Sequence, residues 1–350
     1  MKRVRYVIRC FILYSMFVFK FFEAMNDVKL VSAKDWICEA GFLSIVELWD
    51  VKTGKEQVLD KQKSAFMYSV SFSPCGEKVA FAGLKCLFKV CDIKTGKCDI
   101  LSKDEVDIYS VSFGPEGRRI AYGTDYSVKI WDLKTGTDEF VGHHKCLVFS
   151  VAFSPKGKKV AVGLQDGTVI VWDLKTGEGK VLGKHAKPVH SVSFGLSGKV
   201  ASGSEDGVVS LWDLQEGTGK ELGKHEKMVN SVTFDLGGRK VGSGSNDKTV
   251  KVWGVKTGDC KVLEGYDGSV YSVSFGPKAR KIASGGEKGI AIWDIGTGNI
   301  EKRFGEECSL INSVAFGPLK IKEGKKERLE FMQKKYKKKL APIIAWQEKI

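Results

Sequence analysis

KVASGSEDGVVSLWD, at Lys199–Asp213, is the best-formed copy of a pattern that recurs along the whole chain. It contains two short runs of alternating small or apolar residues joined by a tight turn, which is typical of two antiparallel strands. Seven copies end in Trp-Asp or a degenerate form of it: Trp49-Asp50, Cys91-Asp92, Trp131-Asp132, Trp172-Asp173, Trp212-Asp213, Trp253-Gly254 and Trp293-Asp294. Successive endings lie 40 to 42 residues apart, so the sequence is a tandem repeat.

Each copy also carries a strand before this stretch and a turn after it. The preceding strand reads SVSFGP at 110–115 and again at 272–277, and the following turn is often Lys-Thr-Gly, as at 175–177. This repeat resembles the WD40 repeat, in which each copy supplies four strands, a to d, of a propeller blade. The resemblance covers about residues 26–318 and implies an all-β, seven-bladed propeller of four-stranded antiparallel blades.

The two ends of the repeat region leave one strand to be assigned. Ser313–Phe316 matches strand a but follows the seventh Trp-Asp ending, while the first copy has only Val28–Leu30 as a strand a of its own. Either 313–316 returns to complete the first blade, or it begins a truncated eighth repeat. We expect the first arrangement, because an unpaired strand exposes its backbone donors and acceptors.

The positive charge of the chain is concentrated at its ends. The net charge of +14 divides into +4 for an apolar and basic extension at 1–25, +7 for a basic tail at 319–350, and +3 for the propeller at 26–318. The tail lacks a strand pattern, and Leu329, Met332, Tyr336 and Leu340 recur at helical spacing, which predicts a helix.

The sequence favours a cytoplasmic or nuclear protein. Its nine cysteines form no Cys-x-x-Cys pair and do not follow the repeat, so reduced, partly buried thiols are expected. The N-terminal extension imitates a secretory signal or a membrane anchor, but charges interrupt its apolar run, and no small-x-small cleavage site follows. The alternative is an apolar extension that has no targeting role.

Two copies carry a full set of the polar residues that hold a WD40 blade together. By the resemblance, these structural tetrads are His185, Ser202, Asp206 and Trp212, and His225, Ser243, Asp247 and Trp253. A third copy has His144, Asp166 and Trp172, but Val162 replaces the hydroxyl. A histidine with serine and aspartate also suggests hydrolysis, yet the set repeats in register with the blades and is therefore interpreted as scaffold. No phosphate loop, metal cluster or nucleophile–base pair stands outside the repeats, so no enzyme, cofactor or metal is predicted.

Partner contacts are expected at positions that vary within the repeat. By the resemblance, the residue that begins strand a and the residue before the b–c turn line the mouth of the central channel, on the face made by the d–a and b–c loops. One side of these two rings is aromatic and apolar. The predicted partner-binding residues are Phe42, Tyr68, Leu84, Tyr109, Phe149, His190 and Tyr271. Such a surface would suit a peptide or a domain of another protein.

Basic residues predict a second kind of partner. The a–b and c–d turns collect lysines and arginines on the opposite face, which could attract RNA or an acidic protein. The tail adds a cluster of lysines: Lys334, Lys335, Lys337, Lys338 and Lys339. This cluster is interpreted as a nuclear address, a nucleic-acid contact, part of a helix on a membrane surface, or a plain solvated cluster.

Three functions follow, with no small-molecule substrate in any of them. The first is a scaffold or adaptor that binds peptides or domains on the face of the d–a and b–c loops. The second is a protein associated with RNA or ribonucleoprotein through its basic face and tail. The third rests on the close similarity of the repeats, which resemble the propellers attached to NTPase-type signalling receptors; the chain would then be the sensor part of such a receptor.

Overall fold

A computed structural model of the chain describes residues 36–41, 45–61, 66–84, 87–101, 106–196, 198–305 and 310–318. The extension at 1–25, Val28–Leu30, Phe42 and the tail at 319–350, with its five lysines, lie outside the described residues. Regular structure in the described ranges is β-strand, in seven four-stranded antiparallel sheets. The predicted all-β propeller of four-stranded antiparallel blades is therefore confirmed.

The strands are numbered in chain order, and blades are numbered after the repeat that supplies most of their strands. Blade 1 contains β1 (Trp36–Gly41), β2 (Ile45–Asp50), β3 (Glu56–Lys61) and β28 (Ile311–Phe316). Blade 2 contains β4 (Met67–Phe72), β5 (Lys78–Gly83), β6 (Phe88–Asp92) and β7 (Cys98–Ile100). Blade 3 contains β8 (Ser110–Phe113), β9 (Arg119–Gly123), β10 (Ser127–Asp132) and β11 (Thr137–His143).

The remaining blades each use four consecutive strands. Blade 4 contains β12 (Val148–Phe153), β13 (Lys159–Leu164), β14 (Thr168–Asp173) and β15 (Glu178–Lys184). Blade 5 contains β16 (Val189–Phe194), β17 (Lys199–Ser204), β18 (Val208–Asp213) and β19 (Thr218–Lys224). Blade 6 contains β20 (Val229–Phe234), β21 (Lys240–Ser245), β22 (Val250–Gly254) and β23 (Cys260–Leu263). Blade 7 contains β24 (Val270–Phe275), β25 (Lys281–Gly286), β26 (Gly289–Asp294) and β27 (Ile300–Phe304).

Blade 1 is built from both ends of the repeat region. β28 pairs with β1 in antiparallel register, with Phe316 opposite Ile37 and Ser313 opposite Ala40. The strand at 313–316 therefore supplies strand a of the first blade, as expected from its otherwise unpaired backbone. The alternative of a truncated eighth repeat is wrong.

Burial changes regularly from strand a to strand d. Strand b is buried almost throughout, as in β17, where only Lys199 is partly exposed. Strand d is open to solvent, as in β19, none of whose residues is buried. Strands covered on both faces carry small and apolar residues continuously, whereas edge strands tolerate charges. Strand a of each blade packs on strand a of the next blade, so these seven strands form the inner wall of a ring.

The hydrophobic core lies between blades. The buried apolar residues of the described ranges form seven clusters, and each cluster joins two neighbouring blades. The cluster between blades 5 and 6, for example, packs Val209 and Leu211 against Phe234 and Trp253. Burial of such side chains stabilises a fold by about 1.5–3 kcal/mol each, so every blade depends on its two neighbours.

A circle of serines adds a second link between blades. Strand a of every blade contains a Ser-Val dipeptide. The serine hydroxyl oxygen accepts a hydrogen bond from the backbone N–H of the corresponding valine in the next blade. The pairs are Ser69–Val111, Ser110–Val151, Ser150–Val192, Ser191–Val232, Ser231–Val273, Ser272–Val314 and Ser313–Val70, at 2.9 to 3.1 Å. The recurring serine is therefore a structural residue of the inner wall, a role that sequence reasoning missed.

One pair of cysteines departs from expectation. Cys91, which replaces the strand c tryptophan of blade 2, lies directly opposite Cys98 of strand d, and a disulfide joins them. The prediction of reduced thiols is wrong for this pair. The reason is local, because the Lys-Thr-Gly turn between them brings two residues seven apart into register. Cys75, Cys146 and Cys260 are free.

Within the described residues, no helix has the length and apolar character needed to cross a membrane.

Candidate functional site

The residue that begins strand a is set apart by a β-bulge. In blade 4 Val148 pairs with Leu164 and Ser150 pairs with Gly163, so Phe149 has no partner on strand b. The same shift occurs in five other blades, at Tyr68, His190, Asn230, Tyr271 and Asn312. The extra residue of a bulge is unpaired, so its side chain does not follow the regular alternation of the strand. Six of the seven residues at this repeat position are thus bulged residues at one end of the inner wall, and the seventh, Tyr109, directly precedes β8.

The bulge has a signal in the sequence. Val148 and Val151 are both buried, although residues three apart point to opposite faces of a regular strand. Inserting one unpaired residue between them lets both valines reach the core. The same spacing of buried residues recurs in every blade, as in Val189 and Val192 of blade 5.

Four side chains at this repeat position form an unbroken series of ring contacts, which we call the aromatic arc: Tyr68, Tyr109, Phe149 and His190. The Tyr68 and Tyr109 rings stack with centroids 5.5 Å apart. Tyr109 meets Phe149 edge-on at 5.9 Å, and Phe149 stacks on His190 at 5.2 Å. Each ring belongs to a different blade, from blade 2 to blade 5, and each is partly exposed. The structure therefore brings these four predicted residues together.

Carboxylates lie near two members of the aromatic arc. The Tyr109 hydroxyl donates to Asp125 Oδ1 at 3.0 Å, and burial together with this carboxylate raises the pKa of Tyr109. His190 Nε2 is buried and lies 3.9 Å from Glu205 Oε2, too far for a hydrogen bond. Burial lowers the pKa of His190, so its neutral ring stacks on Phe149.

The other predicted contact residues do not join this series. The Tyr271 hydroxyl donates to Glu287 Oε1 at 3.1 Å, and the bulged residues on either side of it in the ring are Asn230 and Asn312. Leu84 lies partly exposed in the b–c turn of blade 2, where its N–H donates to the Phe66 carbonyl at 2.9 Å. Phe42 lies outside the described residues.

Two aromatic residues near the aromatic arc were missed by sequence reasoning. Phe66 precedes strand a of blade 2 and is 37% exposed, and Tyr126 in the b–c turn of blade 3 is 53% exposed. Neither occupies a repeated position of the pattern, so only their aromatic character in a loop signalled them. Phe66 lies two residues before Tyr68 in the chain, and Tyr126 follows Asp125, the hydrogen-bond partner of Tyr109, so both belong to the same face as the aromatic arc.

In blades 5 and 6 the residues of each structural tetrad lie in contact with one another. His225 Nε2 contacts Ser243 Oγ at 2.8 Å, Trp253 Nε1 donates to the same oxygen at 2.8 Å, and His225 Nδ1 lies 2.7 Å from Asp247. In blade 5, His185 and Trp212 reach Ser202 at 2.7 and 2.8 Å, and His185 Nδ1 lies 3.4 Å from Asp206 Oδ2. These sets are enclosed within blades, which supports a structural role.

The incomplete copies show what the serine does. In blade 4, where Val162 stands at the serine position, His144 Nε2 and Trp172 Nε1 are buried without hydrogen-bond partners. In blade 7, Trp293 Nε1 donates to Ser284 Oγ at 2.9 Å. Tyr266 occupies the histidine position there, and its hydroxyl donates to the Gly289 carbonyl at 2.6 Å. Sequence reasoning did not identify this replacement.

The buried histidines predict a pH dependence of stability. Burial lowers the pKa values of His144, His185 and His190 below their ordinary value. The unfolded chain therefore binds more protons than the folded chain as the pH falls through about 6.5, and stability decreases. We expect a lower Tm at pH 5.5 than at pH 7.5 by scanning calorimetry at constant ionic strength. A Tm that stays constant or rises on acidification would contradict this result.

The two faces of the ring carry charges of opposite sign. The described d–a and b–c loops hold ten carboxylates, Asp107, Asp125, Asp166, Glu205, Asp206, Glu226, Asp247, Glu264, Asp267 and Glu287, and five lysines, Lys145, Lys187, Lys227, Lys248 and Lys288. The described a–b and c–d turns hold thirteen cations, Lys52, Lys55, Lys94, Lys97, Arg118, Lys134, Lys156, Lys158, Lys175, Arg239, Lys256, Lys278 and Arg280, and five carboxylates, Glu77, Glu116, Glu216, Asp235 and Asp259. The aromatic arc lies at the acidic face.

Comparison with known proteins agrees with the repeats and the blades. The family model described as WD domain, G-beta repeat matches residues 98–132, 135–173, 178–213, 218–254 and 259–294, which together make up just over half of the chain. WD repeat-containing protein SL1-17 of Schistosoma mansoni is 29% identical over 80 residues, which are 23% of this chain and 27% of that protein. The chain thus matches about a quarter of the length of this curated relative.

Proposed function

Because the chain belongs to the WD40 repeat family, whose propellers typically serve as interaction scaffolds, we propose that it is a non-catalytic scaffold that binds peptides or domains of other proteins. The binding surface is the face of the d–a and b–c loops, and its centre is the aromatic arc. The observation that carries the proposal is the continuous contact of four partly exposed rings from four neighbouring blades.

The aromatic arc has the properties of a protein-binding hot spot. Large rings that are already packed on one another lose little conformational entropy when a partner covers them. The bulges and the serine circle hold their backbone at the inner wall, as Ser69 and Ser110 do beside Tyr68 and Tyr109. Tyrosine is among the residues that most often dominate binding energy at interfaces.

The charge of this face favours a protein over a nucleic acid. Asp125 contacts Tyr109, and Glu205 lies beside His190, so carboxylates accompany the aromatic arc. A phosphate backbone is repelled by such groups, whereas a peptide with apolar or basic side chains is not.

Removing two rings of the aromatic arc is expected to abolish partner binding. For Tyr68→Ala combined with Tyr109→Ala, we expect at least about a 30-fold loss of affinity, because truncation of one hot-spot residue costs about 2 kcal/mol or more. The measurement is affinity purification of the intact chain and its double variant from cells, followed by mass spectrometry and by titration of each partner recovered.

The matched control is Phe140→Ala on strand d of blade 3. Phe140 is 59% exposed at the outer edge of the propeller, so its loss removes an aromatic side chain away from the inner wall. Partners should persist with this variant and in high salt. If the double variant kept its Tm and still bound the same partners, the proposal would be contradicted.

The basic face supports a second candidate function, binding of RNA or of an acidic protein. Its thirteen cations occupy solvent-exposed turns at the opposite end of the strands. Phosphate-driven binding weakens steeply with salt. Partners that disappear with nuclease and high salt, and that depend on the tail lysines Lys334, Lys335 and Lys337–Lys339, would favour this function over the scaffold.

A further inference from the structure

Blade 6 lacks a carboxylate that blades 4 and 5 use to neutralise a cation. In blades 4 and 5 the lysine that begins strand b lies opposite the aspartate of Trp-Asp and forms an ion pair with it, as Lys159 does with Asp173 and Lys199 with Asp213. Hydrogen bonding from Lys159 favours the charged form of its partner and lowers the pKa of Asp173 to about 2. In blade 6 the residue opposite Lys240 is Gly254.

The space that the missing side chain leaves is taken by its own turn. A Cβ placed on Gly254 would overlap the Asp259 carboxylate and the Thr257 hydroxyl. Asp259 nevertheless does not replace the lost partner, because among the described residues no carboxylate oxygen lies within 4.0 Å of Lys240 Nζ. Lys240 is thus an unpaired cation at a position where blades 4 and 5 hold ion pairs.

Lys240 lines a cavity of about 560 Å³ between blades 6 and 7, on the basic face. Three further cations line the same cavity: Arg239, Lys261 and Lys278. Within the described part of the chain, Arg239 and Lys278 also form no ion pair, while Lys261 Nζ donates to the Gly296 carbonyl at 2.6 Å. Like charges that converge on one cavity repel each other and favour an anionic ligand.

The two carboxylates of the cavity do not balance these cations. Asp235 is buried, and its Oδ1 accepts the backbone N–H groups of Arg239 and Lys240 at 2.6 and 2.8 Å, which holds the a–b turn in place. Asp259 is the only other acidic residue of the cavity lining. Four cations against two carboxylates leave a net positive charge in a space of ligand size.

We propose that this cavity binds a small ligand that carries two or more phosphate groups. Phosphate oxygens accept several charge-assisted hydrogen bonds at once, and Arg239, Lys240 and Lys278 supply donors that the protein leaves unpaired. The volume exceeds the need of a single phosphate and lies within the usual range of about 300–1,000 Å³ for small-molecule sites. The site lies on the face opposite the aromatic arc and does not rest on the proposed function.

The test is calorimetric titration of the full chain with inositol hexakisphosphate at 150 mM NaCl. Saturable binding of one ligand per chain is expected. Lys240→Gln combined with Lys278→Gln should weaken it at least tenfold. Lys158→Gln combined with Lys175→Gln is the matched control, because it removes the same charge from exposed turns of blade 4 on the same face, and it should change the affinity less than twofold.

A charge-neutral variant separates a built site from general attraction. Gly254→Asp with Asp259→Thr moves one carboxylate from the turn to the position opposite Lys240 and reproduces the Asp213 and Thr218 arrangement of blade 5. The net charge of the chain is unchanged, the backbone of Gly254 does not require glycine, and binding should fall at least fivefold.

Two further titrations identify the source of the phosphates. Phosphatidylcholine vesicles with and without a bisphosphorylated inositol lipid test a headgroup, and free inositol hexakisphosphate tests a soluble ligand; binding of either probe that depends on Lys240 supports the site. Equal weakening by the blade 4 control and the blade 6 pair would overturn it, as would unsaturable binding. So would a single-stranded RNA that binds with equal sensitivity to both pairs, because that result would show a diffuse basic face.

Discussion

A chain that ends at Gly305 is expected to lose cooperative folding, whereas a chain that ends at Pro318 is expected to unfold with the Tm of the whole protein. The two differ only in residues 306–318, which contain β28. The measurement is thermal unfolding followed by circular dichroism and calorimetry. This is the largest effect that we expect, because one strand closes the ring.

The expected loss follows from what β28 contacts. It forms the ladder with β1, packs against the inner strands of blades 2 and 7, and closes the serine circle through Ser313 Oγ to the Val70 N–H at 3.1 Å. Ile311 and Val314 are almost fully buried. Two buried side chains at about 1.5–3 kcal/mol each and a ladder at about 1 kcal/mol per bond exceed about 5 kcal/mol, the lower end of ordinary domain stability.

The chain that ends at Pro318 is the control for loss of the basic tail. If the Gly305 chain unfolded cooperatively near the Tm of the Pro318 chain, strand closure would not stabilise the ring and the topology described for blade 1 would be contradicted.

Ser243→Val in blade 6 is expected to destabilise the protein by about 3 kcal/mol, because it leaves the buried Trp253 Nε1–H without an acceptor and the buried His225 Nε2 without its hydroxyl partner, at about 1–3 kcal/mol each. The added apolar burial of valine offsets part of this cost. The Tm should fall by roughly 5 °C for a propeller of this size. Calorimetry of the purified variant measures it.

The reverse change in blade 4 is the matched control. Val162→Ser places a hydroxyl in the register position of Ser202 and Ser243, where His144 Nε2 and Trp172 Nε1 now lack partners. We expect a gain of about 1 kcal/mol after the lost burial of valine is subtracted. Destabilisation by both substitutions to a similar degree would show that side-chain volume, rather than hydrogen bonding, governs this position.

Much of the fold could be predicted from the sequence because the same strand and turn pattern occurs seven times. The closing strand was predictable because Ser313–Phe316 matches strand a and has no repeat of its own behind it. The tetrads were predictable because their polar residues recur in register, and the defect at Val162 was visible as a single exception. Repetition supplies an internal alignment where a single copy would be ambiguous.

The features that sequence reasoning missed depend on contacts between positions. Cys91 and Cys98 meet because a turn sets the register of two strands, which cysteine spacing alone does not state. The position of the aromatic arc was predictable, but the separation of Tyr271 from it depends on which rings touch. The cavity at Lys240 arises from an absent side chain at Gly254 together with the neighbouring blade.

The claim that the aromatic arc is the partner-binding surface is tested most directly by site-specific photocrosslinking. A photoreactive benzoylphenylalanine is placed at Tyr126, beside the aromatic arc, at Phe140 on the outer edge, or at Lys175 on the basic face, and the crosslinked partner is identified by mass spectrometry. We predict crosslinks from position 126 alone, and their loss when Tyr68→Ala and Tyr109→Ala are added. Crosslinks to the same partner from position 175 but not from position 126 would contradict the scaffold function proposed for this face.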